Sequence, residues 1–196
     1  MSASSAPPLL LASTSPQRRA ILAQLGLPFE VVEPRYHEED DGEDPVSLVR
    51  GHAFGKARSV VDAAGGLTVL GVDTAVVLGG HVFGKPADAA EAAAMLEALA
   101  ARTHEVISGL CLAGPGWEEV DHEVTRVSFR SLGPRDLAAY VATGEWEGRA
   151  GAYAIQGRGA SLVERIDGDY LNVVGLPAVL LVRLLAERFP GVYDFG

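Results

Sequence analysis

The run Leu9–Leu22, LLLASTSPQRRAIL, constrains this chain more than any other segment. Four apolar residues, Leu9 to Ala12, suit a buried strand. Three hydroxyls follow at Ser13, Thr14 and Ser15, and Pro16 comes next. Ser15 suits a helix N-cap and Pro16 the first helical position, where its missing N–H costs nothing. A strand that runs straight into a helix N-terminus exposes unpaired N–H groups and the positive end of the helix dipole, a ready site for an anion. Arg18 and Arg19 fall in the first turn, and an arginine there can grip a phosphate with paired N–H donors. A plain capped helix with surface arginines fits the same letters equally well.

The length of 196 residues is enough for one sizeable domain, here taken as residues 1–196. A hydrophobic share of 48% and a charged share of 21% mark a globular chain. The formal net charge of -10 argues against a broad basic surface for nucleic acid. It leaves room for a small phosphorylated ligand, which needs only a few local cations. Part of the acidic excess crowds into Glu38, Glu39, Asp40, Asp41, Glu43 and Asp44. The single cysteine, Cys111, sits in an apolar run, so it reads as a core residue in a reducing compartment. No signal peptide and no span of roughly 20 apolar residues is present, so the expectation is a cytoplasmic protein without a membrane partner.

Strand and helix signals alternate. Phe29–Val32 reads as a strand, and a helix from Asp44-Pro45 to about Ala64 carries apolar residues at Val49, Ala53, Ala57 and Val60. Leu67–Val72 reads as a second buried strand that ends at Asp73-Thr74. Ala75–Leu78 and His81–Phe83 form a hairpin across Gly79-Gly80. Asp88 caps an alanine-rich helix to about Arg102. Thr103–Leu112 and Glu123–Phe129 read as strands, and Pro134–Thr143 as a short helix. Ala160–Ile166 is another strand, Asp167-Gly168-Asp169 a turn, and Leu180–Arg188 a closing helix. The fold class is α/β with a mixed sheet.

Four segments hold polar residues that architecture alone does not require. The first is Ser13–Arg19. The second is Asp73, a carboxylate at the end of a buried strand, where α/β sheets place reactive groups. The third is Lys85 in Gly84-Lys85-Pro86, an extended loop lysine able to act as a point charge for phosphate, though a solvated lysine reads the same way. The fourth is the glycine-rich run Gly148–Gly159, with Tyr153 and Gln156, where backbone can approach a ligand closely. Lys56 lies near the apolar face of its helix. Glu38 and Glu39 offer hard oxygens suited to Mg²⁺ or Mn²⁺. No P-loop, dinucleotide fingerprint or zinc pattern occurs. His104, on a strand pattern, reads as structural.

Taken in order, LASTSPQRRAIL, GVDTAVVLGG with FGKPAD, RTHEVISGLCLA, GRAGAYAIQGRGA and ERIDGDYLNVVGLP resemble the Maf family of nucleoside triphosphate pyrophosphatases. The resemblance runs from residue 11 to residue 177. It implies an elongated, ITPase-like α/β fold with a mixed β-sheet flanked by helices and two lobes around a central cleft. It implies hydrolysis of a nucleoside triphosphate between the α and β phosphates, a divalent cation as cofactor, and a homodimer. It implies Asp73 as the catalytic carboxylate, with Lys56, Lys85 and Arg18 on the phosphates and Ser13 and Ser15 beside them. Glu38 corresponds to an acidic metal-associated position, sharing the ion with Asp73. Which carboxylate is base and which holds metal stays open. Thr74 and Gln156 match the subgroup that acts on dTTP and UTP. Gln17 departs from the arginine usual there, which implies a broader base preference. The alternatives are a nucleotide-binding regulator of division or septum formation, and a broader house-cleaning pyrophosphatase acting on modified or purine nucleotides.

Overall fold

The structure is a computed structural model that describes residues 6–38 and 44–193. Glu39, offered above as a metal ligand, lies outside the described residues.

The opening segment folds as its letters predict. Strand β1 (Leu9–Ala12) leads into helix α1 (Pro16–Gln24), with Ser15 as N-cap in an extended conformation. Helix α1 buries Ile21 and Leu22. Strand β1 pairs in parallel with β2 (Phe29–Val32) on one side and with β3 (Val69–Leu78) on the other. The contact with β3 is short, Leu10 opposite Val69 and Leu11 opposite Leu70.

Strand β3 differs from the sequence expectation in an instructive way. It does not stop at Asp73-Thr74. It continues unbroken, paired antiparallel with β5 (Thr103–Gly114), Asp73 opposite Gly109 and Thr74 opposite Ser108. The ladder to β5 satisfies the backbone there, so no turn is needed. On the other edge of β3, β1 departs after Leu70 and β4 (His81–Phe83) joins only at Val76. Between those points no described strand covers β3. The loop after β1 and the N-terminus of α1 reach the site through this gap.

Helix α2 (Pro45–Val61), capped by the Asp44 carboxylate on the N–H groups of Val46 and Ser47, packs against β3 and β5. It ends three residues earlier than predicted. Two sheet glycines admit it: a Cβ on Gly71 would stand 2.1 Å from the Ala53 carbonyl oxygen, and one on Gly109 2.1 Å from that of Val49. Strand β6 (Trp117–Phe129) forms a long hairpin with β5, closing at Gly114 opposite Trp117, so both strands run further than expected. Strand β7 (Val163–Asp167) starts later than predicted, because residues 158–162 form a 3-10 turn. Helices α3 (Ala89–Leu99) and α4 (Pro134–Val141) follow prediction in place. Helix α5 (Tyr170–Val174) was not anticipated: five residues are too few to show a periodicity. Helix α6 (Ala178–Arg188) closes the chain. Among the described residues the strand order is β2-β1-β3-β5-β6-β7, with β4 beside β3, a mixed seven-stranded sheet flanked by helices.

One face of this sheet carries two apolar cores. Val72 of β3 and Leu110 of β5 belong to the first, with Leu9, Leu11, Leu22 and Leu184. Val76 of β3 and Val106 of β5 belong to the second, with Leu96, Leu99, Phe129 and Leu162. Strand side chains alternate between faces, so the residues between those pairs on the same face are Thr74 and Ser108. Their hydroxyls lie 2.9 Å apart. A polar seam thus divides the two cores, and the cleft lies along it.

Two other readings hold. Cys111 is fully buried, and burial pushes its thiol up to about 12, so it is not a nucleophile at neutral pH. His104 is a core residue, 1% exposed, with Nε2 2.9 Å from the Tyr153 hydroxyl and its ring edge-on to Phe129. Burial lowers its pKa from 6.5 to about 4. The unfolded chain therefore takes up this proton near pH 6.5 and the folded chain only near 4. Stability contributed by the neutral ring is complete above 6.5 and is lost as pH falls toward 4, in total about 3 kcal/mol. Thermal unfolding should show the loss already between pH 6.5 and 5, above the carboxylate range, and His104→Phe should flatten that part of the profile.

Candidate active site

Helix α2 and strand β3 together build the charged centre. His52 and Lys56 stand one turn apart on α2, an i, i+4 pair on one face. Lys56 is 7% exposed, and its Nζ lies 2.6 Å from Asp73 Oδ1 and 2.6 Å from Glu38 Oε1. His52 Nδ1 approaches the other Asp73 oxygen, Oδ2, at 3.4 Å. Burial alone would raise the Asp73 pKa. The hydrogen bond from His52 and the attraction of Lys56 outweigh it and bring the carboxyl down to about 2. Asp73 is therefore ionised throughout the physiological range.

Glu38, His52 and Asp73 each offer a ligand atom, and these lie within 4.8 Å of one another. Two hard carboxylates and one imidazole suit a divalent cation such as Mg²⁺ or Mn²⁺. The same carboxylates already gather one cation, the Lys56 ammonium, which shows how negative this corner is. His52 was missed from the sequence. Its signal was present in the four-residue step to Lys56, but the apolar positions Val49, Ala53, Ala57 and Val60 drew the face of the helix elsewhere.

The cleft on the other side of the gap has a volume of about 350 Å³. Ser13, Ser15, Gln17, Arg18, Glu38, Lys56, Thr74 and Lys85 all line it. Asp73 stands immediately behind Lys56 rather than on the lining. The residues singled out around the phosphates are thus brought together, although they come from five separate segments.

Arg18 lines the cleft and is held in place by neighbouring neutral groups. Its guanidinium is turned inward, Nε to the Gly175 carbonyl at 2.9 Å, one terminal nitrogen to Ser13 Oγ at 3.1 Å and the other to Thr74 Oγ1 at 3.4 Å. Burial lowers its pKa, opposed by the negative charges of Asp73 and Glu38. Arg18 therefore ties α1, β3 and the end of α5 together. Ser15 donates its hydroxyl proton to Gln17 Oε1 at 3.2 Å. Lys85 is exposed at the rim.

A second chamber, about 340 Å³, adjoins the first, and Gln17, Arg149, Tyr153, Val173 and Val174 line both. Gln156 lines only the second, and Thr74 only the first. The two residues expected to act together on a base thus face different chambers. Glu145, which sequence reasoning passed over, fixes the loop that carries Gln156: its carboxylate accepts the backbone N–H of Arg158 at 3.0 Å and of Gly159 at 3.3 Å.

A family model described as Maf-like protein matches residues 8–188. The chain is 50% identical over 181 residues to a dTTP/UTP pyrophosphatase of Moorella thermoacetica, covering 91% of this chain and 93% of that protein. It is 48% identical to one of Nitratidesulfovibrio vulgaris, covering 92% and 88%. It is 43% identical to one of Deinococcus radiodurans over the full length of both. Among solved structures, a Staphylococcus aureus Ham1 protein aligns with 63% of this chain and 72% of its own, at TM-score 0.44 and 16% identity. With a family model covering nearly the whole chain and relatives this similar along it, the protein belongs to the Maf family.

Proposed function

We propose that this protein hydrolyses dTTP and UTP between the α and β phosphates, releasing a nucleoside monophosphate and pyrophosphate. The observation that carries this reading is the Asp73–Lys56–Glu38 cluster beside a cleft that begins at the N-terminus of α1. Relatives of 41–50% identity named dTTP/UTP pyrophosphatase support the same substrate class. In this reading the phosphates lie in the first chamber, with Ser13, Ser15 and Lys85, and the base lies in the second, against Gln17 and Gln156.

Asp73 is the catalytic carboxylate, and Asp73 and Glu38 would hold the divalent cation, with His52 alongside. That cation, when bound, supplies Lewis-acid charge to water and phosphate oxygens. Lys56 keeps the two carboxylates from repelling each other, and Lys85 offsets charge on the departing pyrophosphate. Arg18 acts by fixing Ser13 and the α1 N-terminus. Thr74 acts on substrate choice through Arg18, and the Gln156 amide reads the base edge directly. Uracil and thymine present acceptor, donor and acceptor along one edge, which an amide can pair. A wrong base leaves those groups unpaired, at a cost that discriminates strongly.

The test follows products across dTTP, UTP, CTP, GTP and a 7-methylated GTP with Mg²⁺ or Mn²⁺. Monophosphate and pyrophosphate are expected, fastest from dTTP and UTP, and EDTA should abolish turnover. A diphosphate with free phosphate would defeat the reaction assignment. Preference for the methylated guanine would overturn only the base assignment.

A further inference from the structure

The cations around the cleft are not equivalent. Arg18 gives one hydrogen bond from each guanidinium nitrogen, to Gly175, Ser13 and Thr74, which fixes its orientation and leaves two of its five N–H donors over. Lys56 is held between Glu38 and Asp73. Two further cations line the first chamber, Lys85 and Arg149. Among the described residues, neither side chain makes a hydrogen bond or ion pair. Lys56 pairs directly with the acidic groups of the cleft, Glu38 and Asp73, and Arg18 feels the negative charge of both without an ion pair to either. The uncompensated positive charge therefore belongs to Lys85 and Arg149, in a chain whose formal net charge is -10.

Their placement is built into the fold. Arg149 lies between Gly148 and Gly151, both in the left-handed region at φ 67°, and Ala152 follows at φ 60°. A residue with a side chain rarely adopts that conformation, so the surroundings impose it. The Gly151 N–H donates to the Gly84 carbonyl at 3.1 Å, which fastens the Arg149 loop to the loop of Lys85. A Cβ on Gly151 would stand 2.9 Å from Val76, so the loop lies tightly against β3. Arg149 alone among the four cations lines both chambers.

We propose that Arg149 binds the α phosphate of the nucleotide, at the junction of the base and phosphate chambers, while Lys85 takes the pyrophosphate end. This rests on the chamber assignment made under the proposed function. In a nucleoside triphosphate the α phosphate is the one next to the nucleoside, so it occupies the place where the chambers meet. A planar guanidinium there grips two phosphate oxygens at once, and it remains bound to the monophosphate product after the pyrophosphate departs.

The experiment is calorimetric binding of dTMP and of inorganic pyrophosphate, each with Mg²⁺, to the wild type, Arg149→Gln, Arg149→Lys and Lys85→Ala. Arg149→Gln should weaken dTMP about tenfold and pyrophosphate less than twofold. Lys85→Ala should show the reverse order. Arg149→Lys should recover part of the dTMP affinity, since it restores the charge without the fork. Among the described residues the Arg149 side chain makes no hydrogen bond or ion pair to the rest of the fold, so melting temperatures should match the wild type. Unchanged dTMP affinity in Arg149→Gln would overturn the proposal. Equal losses for dTMP and pyrophosphate would overturn the assignment to the α phosphate. A changed ratio of dTTP to GTP turnover with dTMP affinity intact would make Arg149 a base reader instead. Wild-type protein that binds both ligands without hydrolysing dTTP would sink the proposed reaction and leave this inference standing.

Discussion

Asp73→Asn is expected to lower turnover by roughly 10²-fold or more while leaving the fold intact. Asparagine keeps the shape of the side chain and an oxygen for Lys56, but it loses the negative charge that gathers Lys56 and His52 around it. It also loses both proton affinity and most of its value as a ligand for a divalent ion. Stability should fall too. The Asp73 carboxyl is held at about 2 against an ordinary 3.8. Its contribution is therefore complete above pH 3.8 and is lost as pH falls through about 2. That amounts to about 2 kcal/mol at neutral pH, which Asp73→Asn should remove. Steady-state kinetics and thermal melts on the same preparations separate the two effects. Near-normal turnover in a folded Asp73→Asn protein would remove Asp73 from the reaction.

Gly109→Ala and Gly71→Ala should each destabilise the protein by about 3 kcal/mol and reduce activity with it. A methyl group at either position would stand 2.1 Å from a backbone carbonyl of α2, a contact that only displacement of the helix relieves. For a chain of this size the loss corresponds to a fall in melting temperature of about 6–12 °C. Activity should suffer beyond the folded fraction, because α2 carries Lys56 and His52 while β3 carries Asp73. A shift of the helix by even part of an ångström opens the 2.6 Å contact between Lys56 and Asp73. Gly51 is the control on the same helix. Nothing lies within 4 Å of a Cβ there, so Gly51→Ala should be neutral or slightly stabilising, through the better helix propensity of alanine. If Gly71→Ala and Gly109→Ala melted like Gly51→Ala, the close packing of α2 on the sheet would not be what holds this centre together.

Most element positions were legible because their signals are local. Ser15 before Pro16, Asp44 before Pro45 and Asp88 before the alanine run each mark a helix start within a few residues, and the caps form there. Gly79-Gly80 marks the hairpin, with both glycines at positive φ. The same residues misled where tertiary pairing decides: Asp73-Thr74 looks like a strand end, but the ladder to β5 carries the chain through it. Helix α5 left no trace in the pattern because it is shorter than two turns.

The sequence by itself determined the starts of α1, α2 and α3 and the hairpin turn of the fold and, through the order of its motifs, which residue types are gathered for chemistry on phosphates. Only the tertiary structure decided what each of those residues can do. The departure of β1 from β3 after Leu70 opens the sheet edge, and the alternation of β3 sends Asp73 toward α2 and Thr74 toward Arg18. Arg18, near the start of the chain, is satisfied by Gly175 and Thr74, while Lys85 and Arg149 are left without partners among the described residues. Capping and periodicity act between neighbours in sequence, and the letters carry them directly. Whether a side chain is held or available depends on groups well separated in the chain, Gly175 lying 157 residues from Arg18 and Asp73 17 from Lys56, and only the packed sheet brings those within reach.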